Sequence, residues 1–193
     1  MTGQMVLLQN AQTVSFSIHQ VAERNKVAVS DIEGKFDHLE KLMLQEFYEF
    51  VQRRDTYEWL HWNMRNINYG FQAIAHRYSV LGGQPVLIPD VKQHDLSRML
   101  FAIYGPGYAE HPRLTSVLEM NHMTKKDFLT GEEESKAFDD KEYVKLHQST
   151  LRKVDLLAGI AEQTYAGTLK TRSTWHDIYV SSMDRDDYRA LVI

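Results

Sequence analysis

Residues 16–42 read FSIHQVAERNKVAVSDIEGKFDHLEKL, and the reading of this stretch decides the fold. Val21 and Ala22 open an apolar pattern, Val27 follows a break, and Ile32, Phe36 and Leu42 continue it without a gap. That order predicts a helix, a tight turn, a second short helix and a Phe opening a third. A small residue at Ala22 lets two helices cross closely, and apolar residues on both sides of the turn lock their angle. These are the physical requirements of a helix-turn-helix. The second helix of such a unit, here about Val29 to Lys35, is the one that enters the major groove of DNA.

The 193 residues leave room for one domain of ordinary size or a small head on a larger body. Hydrophobic residues make up 43% and charged residues 25%, the balance of a folded soluble protein. With only 4 Pro and 10 Gly, long helices can run with few interruptions. The net charge of -4 excludes a polycation, so any nucleic-acid contact has to come from a local patch. The chain has no Cys, hence neither a disulfide framework nor a thiolate metal site. The N-terminus lacks the charged, apolar and small-residue succession of a leader, and no apolar run approaches about 18 residues. A cytoplasmic protein with no membrane partner is expected.

Apolar residues recur at helical spacing along most of the remaining chain. Leu39, Leu42, Met43, Phe47 and Phe50 form one stripe ending near Arg53-Arg54. Asp55 with Glu58 resembles a capping box and predicts a helix through Trp62, Tyr69, Ile74 and Tyr78 to Gly82-Gly83. A connector at 82–89 precedes a helix from Pro89-Asp90 to Gly105, and His111-Pro112 opens another that continues to Gly131. The acidic stretch 130–140 reads as an exposed loop. A long helix follows from about Lys141 to Lys170, with Val144, Leu151, Val154, Ala158, Ala161 and Tyr165 on one stripe. Thr174 can cap a last helix. The expected fold is all-α, about eight or nine helices, with VLI at 86–88 the one strand-like run.

Ser17-Ile18, Val21-Ala22, Glu23-Arg24, Val27, Ile32, Phe36 and Leu42 stand in a register that resembles the TetR family of one-component bacterial regulators. The likeness covers about 26 residues. It implies a DNA-binding head over residues 1–45 and a helical body over 46–193 that holds a small-molecule effector. It also implies a homodimer formed through the last two long helices, residues 141–190. Ser17, Lys26, Val29, Ser30 and Lys35 are then the candidate contacts to double-stranded DNA. Lys26, Glu33 and Leu39 stand where that family usually has a small residue, an aromatic and a Lys. The segment sets Arg24, Lys26, Lys35 and Lys41 against Glu23, Asp31, Glu33, Asp37 and Glu40, whereas a phosphate reader is clearly positive. The same apolar residues would also fix a purely structural three-helix unit.

Two further constellations carry chemistry. His61, Trp62, Asn63, Asn66 and Tyr69 crowd hydrogen-bonding and aromatic side chains into a body segment, as a small-ligand pocket requires. His76 and Arg77 could complement an anionic group there, and His122 is a further candidate ligand contact. The alternative is a buried polar network or an interface face. Separately, Glu58 with His61 and Glu119 with His122 form two Glu-x-x-His pairs. On facing helices such pairs can hold two metal ions, as in ferritin-like proteins. The regulator reading needs no cofactor, whereas this second reading needs di-iron or di-manganese and makes the protein an oxidase or metal binder. A helical adaptor with a degenerate head is a third possibility.

Overall fold

The computed structural model describes residues 2–7, 12–64 and 70–174. The chain begins with an antiparallel pair, β1 (Thr2–Leu7) and β2 (Gln12–Ser17). Helix α1 (Ile18–Arg24) follows at once. A turn at Asn25 and Lys26, with Lys26 at φ 56°, and two 3-10 turns (Val29–Asp31 and Glu33–Lys35) lead into α2 (Phe36–Gln52). Beyond it come β3 (Trp59–His61) and α3 (Phe71–Val80). A 3-10 turn (Asp90–Lys92) leads into β4 (Gln93–Asp95) and α4 (Leu96–Tyr104). The helices α5 (Arg113–Met120), α6 (Gly131–Asp139) and α7 (Tyr143–Tyr165) complete the described chain.

Two hydrophobic cores organise these elements. In the first, Val21 and Ala22 of α1, Ile32 of the connection and Leu39 and Met43 of α2 are all buried, joined by Phe16 and Phe47. The ring of Phe16 meets Phe47 and Phe50 edge-on, with centroids 5.7 and 5.5 Å away. Tyr48 stacks on Tyr78 at 5.0 Å, which ties α3 to the same core. Burial pushes the Tyr48 phenol up to about 12, so it stays protonated. Gly83 lies so close beneath the Tyr78 ring that a Cβ would come within 2.2 Å of it, and only glycine fits there. The second core gathers Leu100 of α4, Val117 and Leu118 of α5, and Leu156 and Ile160 of α7. Helix α7 serves both, because Tyr143 at its start is buried in the first core.

The all-α expectation is overturned. Among the described residues there are seven α-helices, one antiparallel strand pair and one parallel pair of β3 with β4. The helix expected over 55–82 is broken. Residues 53–56 form turns, 59–61 pair with 93–95, and only 71–80 are helical, with Gly70 at the N-cap. The 90–104 helix starts late, at Leu96, because the segment before it pairs with β3. The strand-like run at 86–88 carries no strand. Pro112 is the N-cap of α5, which stops at Asn121 instead of reaching Gly131.

Residues 131–139 form a helix where a loop is expected. Thr130 accepts from the Glu133 N–H, and Glu133 accepts from the Thr130 N–H, a complete capping box. The expected second helix of the N-terminal unit is two 3-10 turns. The helix capped by Thr174 falls on residues 175–190, outside the described residues.

The first core yields a direct stability test. Leu39→Ala is expected to lower the free energy of unfolding in urea by about 2–5 kcal/mol, since it leaves a cavity at a fully buried site. Val29→Ala, on the exposed turn, should change it by less than about 0.5 kcal/mol. Equal effects of the two substitutions would contradict this packing.

Candidate functional site

The three-residue parallel pair stands beside a concave part of the body. The register sets Trp59 against Gln93, Leu60 against His94 and His61 against Asp95. Trp59 and His61 face inward and Leu60 outward, as strand alternation requires. Where the two strands end, the Asp95 carboxylate does two things. One oxygen accepts the Ser97 N–H at 3.0 Å, which caps α4, and the Asn63 N–H at 3.3 Å, which holds the exit of β3. Asn63 turns the chain back at φ 56°, a left-handed conformation that Asn tolerates better than most residues. Just beyond it, the Met64 N–H donates to His61 Nδ1 at 3.2 Å, which leaves the proton of the neutral ring on Nε2. The Phe71 ring lies edge-on to that imidazole at 5.6 Å.

A cavity of about 510 Å³ opens beside this anchor. Trp62 and Asn63 line it from the β3 exit, Arg98 and Phe101 from α4, and His111 and Arg113 from the start of α5. The Arg113 guanidinium carbon sits 5.6 Å from the Phe101 ring centroid and 5.5 Å from that of Tyr108. Tyr108 is itself fully buried, and burial raises its phenol above the ordinary value against a smaller opposing effect of Ser97. The Tyr108 hydroxyl donates to the Ser97 carbonyl at 3.4 Å, which braces the first turn of α4.

The sequence-derived ligand set is partly brought together. Trp62 and Asn63 line the cavity, and His61 is buried behind it. His76 lies exposed on α3 and His122 exposed past the end of α5, and neither lines the cavity. Asn66 and Tyr69 lie outside the described residues. Arg77 is committed elsewhere: its Nε donates to buried Glu40 at 2.7 Å and a terminal nitrogen to Asp37 at 2.5 Å. Arg98, His111 and Arg113 are absent from the sequence-derived set. A cue was available in Arg98 and Phe101, three residues apart on one helix face and thus able to line one wall.

The two Glu-x-x-His pairs do not assemble. His61 is in a strand, so Glu58 and His61 do not share a helix face, and Glu58 pairs with His94 at 2.7 Å. Glu119 pairs with Lys125 at 2.6 Å. Among the described residues, no three or more His, Asp or Glu side chains are grouped to hold a metal ion.

The N-terminal unit is the second candidate surface. Lys26, Val29, Ser30 and Lys35 are exposed, whereas Ser17 is fully buried and its hydroxyl donates to Gln20 at 3.0 Å. The Ser30 hydroxyl donates to Asp31. Arg24 is held by Glu46 at 2.6 Å. Two cations from outside the unit pair with three of its carboxylates: Lys141 with Glu33, and the single Arg77 with both Asp37 and Glu40. The unit leans on α6 and α7, since the Phe36 and Phe138 rings meet edge-on at 5.9 Å. His19 and His147 also lie with centroids 4.9 Å apart.

Comparison with known proteins gives no match to a family model, a curated protein or a solved structure. No described helix is long and apolar enough to cross a membrane.

The His19–His147 contact sets a pH dependence. Burial lowers both imidazoles below the usual histidine value; Glu23 partly opposes this at His19, and His19 itself adds to it at His147. As pH falls through about 6.5, the unfolded chain takes up protons that the native pair still refuses, so native stability is full above that pH and declines below it. The urea midpoint is expected to fall between pH 7.5 and 5.5, and less so in His147→Gln. An identical fall in that variant would refute the assignment.

Proposed function

We propose that the protein is a ligand-responsive regulator. A small molecule occupies the cavity beside Asp95, and the N-terminal unit carries the response to DNA in a homodimer. The observation that carries this reading is the arrangement of two cores on one helix. The apolar set of a helix-turn-helix is buried in the first core, the cavity adjoins the second, and α7 contributes side chains to both. At 1.5 Å per residue, α7 is roughly 35 Å long and can couple the two regions as a rigid rod. A ligand that binds better to one placement of α7 shifts the population of head placements by its differential affinity.

The DNA half of the reading draws support from the burial of Val21, Ala22, Ile32 and Leu39 together with the exposure of Lys26, Ser30 and Lys35. Pairing of Glu33 with Lys141, and of Asp37 and Glu40 with the single Arg77, offsets two of these three negative charges and so part of the repulsion that the linear charge count implies. The reading segment is then a pair of 3-10 turns, which offers a shorter reach into a groove than a full helix. The homodimer draws support from α7, where Val144 and Tyr165 are exposed and Leu151, Val154, Ala158 and Ala161 are only half-buried. Ala161 packs on the second core, and the exposed Val144 and Tyr165 with what remains open of the half-buried positions are what a symmetric interface would cover.

Selection from random double-stranded DNA at low salt tests the DNA half directly. The expected outcome is an enriched two-fold symmetric site, bound by a species of dimer mass in light scattering. Lys35→Ala should reduce the slope of log affinity against log salt by about one unit. Absence of any enriched sequence would remove this half of the reading and leave the cavity untouched.

A further inference from the structure

We infer that the cavity is built for a small oxyanion-bearing ligand, a carboxylate or a phosphate monoester, gripped by Arg98 and Arg113. The inference rests on the reading of the cavity as a ligand site and adds the chemistry of its occupant. Its starting point is what the arginines do. Arg24, Arg53, Arg77 and Arg172 each pair with a carboxylate. Arg54 and Arg152 donate to the backbone carbonyls of Phe50 and Thr124. Among the described arginines, Arg98 and Arg113 alone have neither an ion pair nor a hydrogen bond, and both line this one cavity. In a chain with 26 acidic residues against 22 Lys and Arg, two unpaired guanidinium groups on one concave surface run against composition.

Arg113 is also pre-positioned. Its guanidinium lies between the Phe101 and Tyr108 rings, and its Nε is buried without a hydrogen-bond partner. A buried N–H left unmade is costly, and an incoming oxygen would satisfy it. A guanidinium presents its donors as a planar fork that matches a carboxylate or phosphate edge, so two forks on one wall favour an oxyanion over a neutral ligand. His111 adds a third nitrogen-bearing side chain, and no Asp or Glu is among the lining residues. The nearby Asp95 carboxylate is turned to the Ser97 and Asn63 N–H groups. Trp62 and the exposed Phe101 ring provide flat apolar walls, which suits an oxyanion carried on a planar body. The volume of about 510 Å³ accommodates a ligand of that size.

The test uses the full chain and four probes at constant ionic strength: inorganic phosphate, phenyl phosphate, benzoate and neutral benzyl alcohol. Binding is followed by calorimetry, with tryptophan fluorescence as a second readout. Phenyl phosphate or benzoate is expected to bind at least tenfold more tightly than benzyl alcohol, and the tighter of the two names the oxyanion. Inorganic phosphate should bind more weakly than phenyl phosphate. Arg98→Gln and Arg113→Gln should each weaken binding about tenfold or more, Arg113→Lys should recover part of the loss, and Arg152→Gln, away from the cavity, should change nothing. Unchanged melting temperatures separate lost contacts from lost folding. Equal binding of benzyl alcohol, insensitive to both arginines, would overturn the oxyanion assignment while supporting the cavity as a ligand site. No binding by any probe would overturn both.

Discussion

A single buried carboxylate, that of Asp95, ties the β3 exit to the start of α4 beside the cavity. It satisfies the Ser97 N–H at the start of α4 and the Asn63 N–H at the exit of β3, the second 32 residues before Asp95 in the chain. Because both donors converge on one oxygen, the β3 exit and the first turns of α4 cannot move independently. Trp62 and Asn63 are thereby set against Arg98 and Phe101, and the start of α5 closes the cavity with His111 and Arg113. Neither the strand pair, only three residues long, nor the isolated α4 helix of nine residues would persist without such a tie.

The long elements were legible from spacing and the short ones were not. α2 buries enough regularly placed apolar residues for its period to be read directly. α7 lies within the range expected for it, but its buried apolar residues are Tyr143, Leu156 and Ile160, not the stripe through Val144, Leu151, Val154, Ala158, Ala161 and Tyr165. The strands escaped because three residues of β3 show no period of their own, and their partner lies 34 positions further on. No local signal announces such a pairing. α6 was misread because its composition is acidic and only Ala137 is buried, although Thr130 and Glu133 at capping-box spacing marked its start. The 3-10 turns over 29–35 bury only the intervening Ile32, so their apolar pattern is the one a short α-helix would also show.

For the site, local chemistry was readable and its assembly was not. Of the aromatic, amide and histidine side chains read together as a ligand set, Trp62 and Asn63 line the cavity side by side, and His61, His76 and His122 do not. Arg98 comes from α4, Arg113 from α5 and His111 from the bend just before α5, and no local pattern announces their convergence. The Glu-x-x-His reading assumed helical geometry at His61, which the strand pairing removes. The linear charge count over the N-terminal unit missed Arg77 and Lys141, which the fold delivers to its carboxylates from 37 or more residues away.

The proposed sensor would be joined to the N-terminal unit through α7, which enters both cores. Hydrogen exchange with and without saturating phenyl phosphate tests that coupling most directly. The account predicts altered protection at the cavity, over 96–113, and also at the backbone amides of 18–36 and the first turns of α7. Protection that changes around the cavity alone, with 18–36 unaltered, would contradict it.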